Sequence, residues 1–504
     1  MPGAGLTEAG ELYSPMVGLV YVFNLIVGTG ALTMPLAFAR AGWAMGGILI
    51  IILAFVSYLT VTFVVEAMAS ANAVIRFKRK EKKRELEDSS SGSHDATAPP
   101  FLHEVESDEK QSLLQPPVAP QLYTDGKHQD FFEITERVEM AKMASLFFNK
   151  IGLNLFYLCM VIYLYGDLAI YAVTVPTSLM NITCTYTPEN SSSPEQDDPC
   201  WEGVNLTRMN AYRVYLTVFA IALGIFVFFN VQKTKYLQLL TTFFRWLAFS
   251  MMIVLALIVL AKGKGQGGPV AVGAFESIPN FFGVCVYSFM CHHSLPSLVT
   301  PIKRKKRLSV LLGGDYALIL GFYLLISLTA IFTFSTNSIQ EIYTLNFFGD
   351  KNGVTMVVPV QYFIALFPVF TLSTNFPIIG ITLRNNLKML FAREGRPYHW
   401  AVDRIVFPLL ALLPGIVVAF ITTDVTGLVG YTGSYAGAGI QYVIPAFLVY
   451  CGRRKTAKLF GQNWSNKHTS PFRHRAWVIL VLLWAVLCIG FVTANHIISA
   501  VHHH

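Results

Sequence analysis

The chain has 504 residues, of which 54% are hydrophobic and 13% charged, with a formal net charge of +8. Soluble proteins carry about 25% charged residues, so a water-facing domain of this size could not coat its own surface, which excludes a cytosolic enzyme, and the same hydrophobicity excludes a chain disordered throughout. Lys and Arg fall in short clusters between long apolar runs, with no aromatic-plus-basic array, which speaks against nucleic-acid binding and leaves an all-α polytopic protein solvated by the lipid bilayer.

A spanning helix needs about 20 apolar residues, and the chain offers about eleven such windows. They cover residues 14–38, 43–67, 151–180, 212–229, 237–261, 279–300, 311–334, 358–383, 402–420, 426–450 and 476–495. The organisation expected from them is a leading cytosolic segment over 1–13 and spans one and two over 14–67. A polar loop over 68–145 follows, then spans three to eleven over 146–498 and a tail over 499–504 on the opposite side. The first span lacks the basic stretch and small-residue cleavage site of a signal peptide and reads as a retained helix.

Span one contains Asn24-Leu25-Ile26-Val27-Gly28-Thr29-Gly30-Ala31-Leu32-Thr33-Met34-Pro35. Glycines and a proline in mid-span weaken a helix where lipid offers no replacement hydrogen bonds, so the break must face protein or a cavity. Contiguous Gly-Thr-Gly is not the helical-turn spacing of a packing face. Span two ends in Glu66, read as an interfacial charge. Arg76, Lys78, Arg79, Lys80, Lys82, Lys83 and Arg84 follow it. Similar clusters, Lys303 to Arg307 and Arg453 to Lys455, follow spans six and ten. All three lie after even-numbered spans, which makes that side cytosolic.

The loop after span two is rich in Glu, Lys, Ser and Pro, and its composition predicts a largely disordered segment. Within it, Glu109 precedes Leu113 and Leu114 with the spacing of an acidic dileucine signal for clathrin adaptors. That points to lysosomal or endosomal membranes, with the plasma membrane as the alternative. The loop over 181–210 holds three sequons, at Asn181, Asn190 and Asn205, together with Cys184 and Cys200. A disulfide between those cysteines and glycans on those asparagines would place the loop in an oxidising lumen.

Span three carries Asp167, an intramembrane carboxylate that must be paired, neutral or hydrated. It reads either as a proton relay or cation ligand, or as a structural hydrogen bond. Arg245 in span five reads as a pairing or snorkelling cation. Span six contains Ser288-Phe289-Met290-Cys291-His292-His293-Ser294-Leu295-Pro296, a second polar and proline-bearing interruption. His292 and His293 point to different helix faces and do not form a metal site by themselves. If the first ten spans are two repeats of five, spans one and six are equivalent, and paired interruptions mark a transporter site at the midplane. An intramembrane aspartyl protease is the rival class. Tyr165-Gly166-Asp167 and Gly313-Gly314-Asp315 come near its motifs without the required spacing.

Asn24-x-x-x-Gly28-x-Gly30-x-Leu32, together with Phe289-x-Cys291-His292 and Leu295-Pro296, resembles the amino acid/auxin permease branch of the amino acid–polyamine–organocation superfamily. Gly10 to Pro15, Tyr163 to Tyr171 and Ser373 to Ile379 are similar to the transmembrane protein 104 family within that branch. The resemblance implies a five-plus-five inverted-repeat (LeuT-like) fold with broken spans one and six, and transport of a small solute, an amino acid by class. It places Gly28, Thr29 and Gly30, with Ser288, Cys291 and His292, around the substrate. Asn24, with Ser373, Thr374 and Asn375 of span eight, would hold sodium, whereas Asp167, by its own place in span three rather than by the resemblance, leans toward protons. No cofactor is implied beyond a coupling sodium ion or proton. The alternative is a nutrient sensor that signals through its cytosolic loop.

Overall fold

The computed structural model describes residues 12–91, 131–186, 195–229, 235–305, 307–349, 353–355, 357–391, 398–461 and 465–502. The dileucine residues Glu109, Leu113 and Leu114, and the sequon at Asn190, lie outside them. Among the described residues the fold is all helical: nine helices are long and apolar enough to cross a membrane, and Pro15–Ile26 with Gly30–Ala41 forms a tenth span bent by 59°. The eleventh expected span is present as two helices, Ile278–Ser288 and Leu295–Val299, with an unwound stretch between them. These four half-helices are named α1, α2, α8 and α9.

Span two is α3, Trp43–Ser91. No Gly or Pro interrupts residues 48–91, and the Lys/Glu/Arg run after the apolar half is rich in helix formers, with Lys83 and Glu87 paired at 3.5 Å. At 1.5 Å per residue the helix is about 73 Å long against a hydrocarbon core of about 30 Å, so its basic end stands clear of the bilayer. Residues 131–147 return onto it. The Asn72 side chain donates to Glu136 O and accepts from Glu136 N, and Arg79 clasps the Glu136 carboxylate. Phe131 and Phe132 pack on Phe460. The order around the long loop is therefore wider than its composition predicted. Buried Phe131, Ile134, Val138 and Met143 supply the apolar surface that the loop taken as a whole lacks.

Helix α4 is Met140–Phe147. Span three is α5 (Lys150–Thr183), span four α6 (Arg208–Gly224) and span five α7 (Lys235–Ala261). Span seven is α10 (Leu308–Thr333), span eight α11 (Val358–Leu390) and span nine α12 (Phe407–Ile421). Span ten runs from α13 (Val425–Thr432) to α14 (Ile444–Phe460), and span eleven is α15 (Arg475–His502). Spans two, three and ten are mostly enclosed, with spans one and six packed among them, whereas spans four, five, nine and eleven turn wide apolar faces outward.

The connections sort onto two faces. On one, Trp43 N donates to Val270 O and Gln196 to Thr423 Oγ1, joining the loops after spans one, three, five and nine. On the other, Tyr13 forms an isolated bridge with Ile302 after span six, and Lys455 after span ten reaches Leu146 O. The first is called the disulfide face and the second the basic face. Glu66 is not the interfacial charge expected from its position. It is 4% exposed, grips Arg453 through both oxygens at 2.7 and 2.8 Å and accepts from Ser470 N at 2.9 Å. A buried carboxylate must be paired in this way, and the pair ties span two to span ten and to the loop before span eleven.

Candidate functional site

The break in span one follows from its glycines. Val27 leaves the helical region as the cap of α1, Gly28 N turns back to Ile26 O at 2.9 Å, and α2 restarts at Gly30. In span six the chain leaves α8 after Ser288, and Ser294 N and Leu295 N both close on Cys291 O before α9 begins. The two breaks touch. A Cβ on Gly30 would lie 2.7 Å from Ser288 Cα and overlap that side chain, so only glycine permits the approach. The Tyr323 hydroxyl of span seven lies 3.0 Å from Ile26 O and 2.9 Å from Ser288 O. One buried donor thereby serves the carbonyl ends of α1 and α8 together.

Asn24 is buried, and neither atom of its side-chain amide has a partner among the described residues. It lines a cavity of about 100 Å³ together with Phe23, Val27, Arg245, Ser250 and Phe322. Arg245 donates to Asn24 O, its Nε has no partner among the described residues, and Tyr171 and Tyr323 lie close enough to interact with its charge. Arg245 is therefore not a snorkelling residue: its guanidinium is turned inward to the break of span one. The expected partnership of Asn24 with Ser373, Thr374 and Asn375 is absent from this cavity, whose walls come from spans one, five and seven. Thr374 instead bonds back to Thr371 O within its own helix. The sequence could not show this, because which face of span five turns inward is decided by packing of Trp246 on Phe23.

A second polar group surrounds span six. Asp167 is buried between Tyr163 and Tyr287, with its Oδ1 unpartnered among the described residues. Tyr163 stands 5.5 Å from the His293 ring. His292 points the other way, with Nε2 2.9 Å from Thr60 Oγ1 of span two. Gln441 of span ten donates to Ser57 beside it. The Nδ1 atoms of both histidines and Gln441 Oε1 have no partner among the described residues. Ser288 Oγ bonds to Val284 O, and Cys291 Sγ lies 3.3 Å from the Tyr316 hydroxyl. Asp315 neighbours Cys291 and Tyr316, whereas Asp167 neighbours Tyr163 and Tyr287. The two aspartates thus occupy different surroundings, unlike a protease dyad.

Span ten is a third irregular element that the reading by motifs missed. Residues Gly433–Gly437 and Gly439–Val443 are π-helical, a wide-turn form that recurs at functional sites. Gly283 and Gly433 let α8 and span ten touch through backbone: a Cβ on Gly433 would lie 2.7 Å from Gly283 C. The available signal was the clustering of Gly427, Gly430, Gly433, Gly437 and Gly439 in mid-span.

On the disulfide face Cys184 and Cys200 are bonded. Asn205 is exposed in the loop ahead of α6. Asn181 is unsuited to the glycan assigned to it, because it sits in the last turns of α5, donates to Thr177 O at 2.9 Å and accepts from Arg208 at 3.0 Å.

The sequence pattern of the family described as transmembrane amino acid transporter protein matches residues 13–84 and 121–493. The chain is 55% identical over 500 residues to a human protein named transmembrane protein 104, covering 98% of each. It is 42% identical over 510 residues to the Drosophila melanogaster homologue, covering 97% of this chain and 98% of that one. It is 36% identical over 524 residues to the Dictyostelium discoideum homologue, covering 98% and 99%.

Proposed function

The chain belongs to the transmembrane amino acid transporter family, and from that premise we propose that it is a proton-coupled secondary transporter of an amino acid or closely related small solute. The observation that carries this reading is the meeting of the two broken spans at Gly30 and Ser288 under one tyrosine hydroxyl. Helix breaks in matching positions expose backbone N–H and C=O groups to a solute at the midplane. Gly28, Thr29 and Gly30 would meet the solute's carboxylate, and the polar edge of span six around Ser288 to His292 its remaining polar groups. Alternating access would come from movement of spans one and six against spans three and eight.

Protons are preferred to sodium on electrostatic grounds. A guanidinium held at Asn24 O repels a sodium ion at the place where the resemblance would seat one. Asp167, between two tyrosines and within one residue's reach of His293, is a buried carboxylate of the kind that marks proton relays. The disulfide favours a lumenal or extracellular disulfide face, with the basic face and N-terminal segment in the cytosol. Lysosomal or endosomal residence through clathrin adaptors rests on the dileucine sequence alone. Uptake of a panel of radiolabelled amino acids into liposomes holding the full-length protein tests the function. Accumulation of at least one that is lost in Thr29→Val supports it, and no accumulation across the panel sinks it.

The sensor reading gains one specific observation. Residues 131–147 are fastened to the ends of spans two and ten, so movement of those spans would reach the cytosolic loop. Removing residues 92–130 separates the two readings: a transporter keeps its flux, whereas a sensor keeps solute binding and loses its cytosolic partner.

A further inference from the structure

A second cavity, of about 210 Å³, opens on the disulfide face, apart from the broken spans. Thr177, Asn181 and Tyr212 line it from the ends of spans three and four, Glu341 from the loop before span eight, and Thr423 from the loop before span ten. Glu341 is half-buried, and its Oε2 accepts from Val425 N at 2.9 Å, in the first turn of α13. Three charged groups have a bearing on it. Asp424, which caps α13 through Gly427 N at 2.7 Å, lies beside it, and Arg40 at the end of α2 is the neighbouring cation. Arg208, behind the opposite wall, is buried and already committed, with its guanidinium on Asn181 Oδ1 and Asp198 nearby.

Asp424 and Arg40 offset one another, so the carboxylate of Glu341 itself leaves this wall of the cavity net negative. The rest of the lining is part polar, with Gln196 and Gln340, and part apolar, with Met180 and Met209. Thr177 Oγ1 is buried without a partner among the described residues. Tyr212 sends its hydroxyl to Ala419 O at 2.7 Å and leaves its ring on the cavity wall, a surface that attracts cations. The volume is below the roughly 300–1,000 Å³ of drug-sized sites and suits a solute of a few heavy atoms. We propose that this cavity binds the ammonium end of a small primary amine or α-amino acid, with Glu341 as its counter-ion and Thr177 as an acceptor. Because Glu341 also holds the first turn of span ten, and α13 packs on α8 of span six through Gly283, Gly430 and Gly433, occupancy is felt at the broken span. Burial and the Asp424 carboxylate push the Glu341 carboxyl above its ordinary value. The proton and the ammonium group therefore compete, and binding weakens as pH falls through Glu341's titration.

The choice of an amino acid as ligand rests on the transporter reading; the cavity and its charge do not. The test uses the full-length protein in lipid nanodiscs, titrated calorimetrically with ethylamine, glycine and acetate. Ethylamine should bind at neutral pH, more weakly in acid, and roughly ten- to a hundredfold more weakly in Glu341→Gln. The new amide keeps an acceptor for Val425 N. Thr177→Val should weaken ethylamine binding without altering its pH dependence. Glycine binding that depends on Glu341 identifies an amino acid as the ligand, and ethylamine binding alone identifies a simple amine. No ethylamine binding to the wild type, equal binding by Glu341→Gln, or acetate binding in its place overturns the proposal. Absent flux with Glu341-dependent ethylamine binding intact overturns only the transporter reading.

Discussion

At the residue scale, what matters is how each buried polar group inside the apolar bundle is satisfied. Tyr323 shows the principle most simply. Its hydroxyl is the one donor shared by Ile26 O and Ser288 O, so Tyr323→Phe leaves two carbonyl ends without it while preserving the ring packing on Phe289. The expected cost is about 1–3 kcal/mol of stability, read as a lower melting temperature in detergent, with a larger loss in solute flux than in melting temperature. Equal flux in Tyr323→Phe and wild type would remove the tyrosine from the account. Asp167, Asn24, His292 and His293 were legible in the sequence because a polar group in an apolar run is anomalous by itself. Tyr323 was not, since a tyrosine in a span is ordinary until its hydroxyl partner is known. Arg245 was visible, but the choice between pairing and snorkelling depends on which face of span five turns toward Asn24, and hydropathy carries no such information.

At the element scale, the breaks in spans one and six were readable from Gly28, Gly30 and Pro296, because the cost of glycine and proline in a helix is local. Their contact was not readable, since Gly30 against Ser288 joins residues from two halves of the chain. That contact makes a specific prediction. Gly30→Ala introduces a Cβ overlapping Ser288 and should cost about 1–3 kcal/mol by overpacking, along with most of the flux. Ser288→Gly, combined with it, should restore part of both, and a double variant no better than the single one would show that the two breaks do not meet. The long helix of span two and the return of residues 131–147 show the reverse case. Composition marked a polar loop, yet Asn72, a single buried amide, recruits the backbone of Glu136 and orders the segment beside it. Span ten is the element least legible to motif reading, because its π-helical turns come from a glycine cluster that also reads as simple close packing.

At the scale of the whole molecule, the count and alternation of spans follow from hydropathy, and the structure sorts the loops onto two faces as that alternation requires. Which face is lumenal is testable through the sequons. Asn205→Gln should reduce a glycosidase-sensitive shift on a gel and, combined with Asn190→Gln, abolish it, whereas Asn181→Gln should leave the shift in place, because that amide is held by Thr177 and Arg208. A shift that survives Asn205→Gln and disappears with Asn181→Gln would contradict the assignment. The central claim concerns what drives the solute. The most direct measurement is initial uptake into liposomes containing the purified full-length protein, with a proton gradient and a sodium gradient imposed separately at matched membrane potential. The account predicts accumulation driven by the proton gradient, unaffected by replacing sodium with choline and abolished in Asp167→Asn. Uptake that requires sodium, or that persists undiminished in Asp167→Asn, would contradict it.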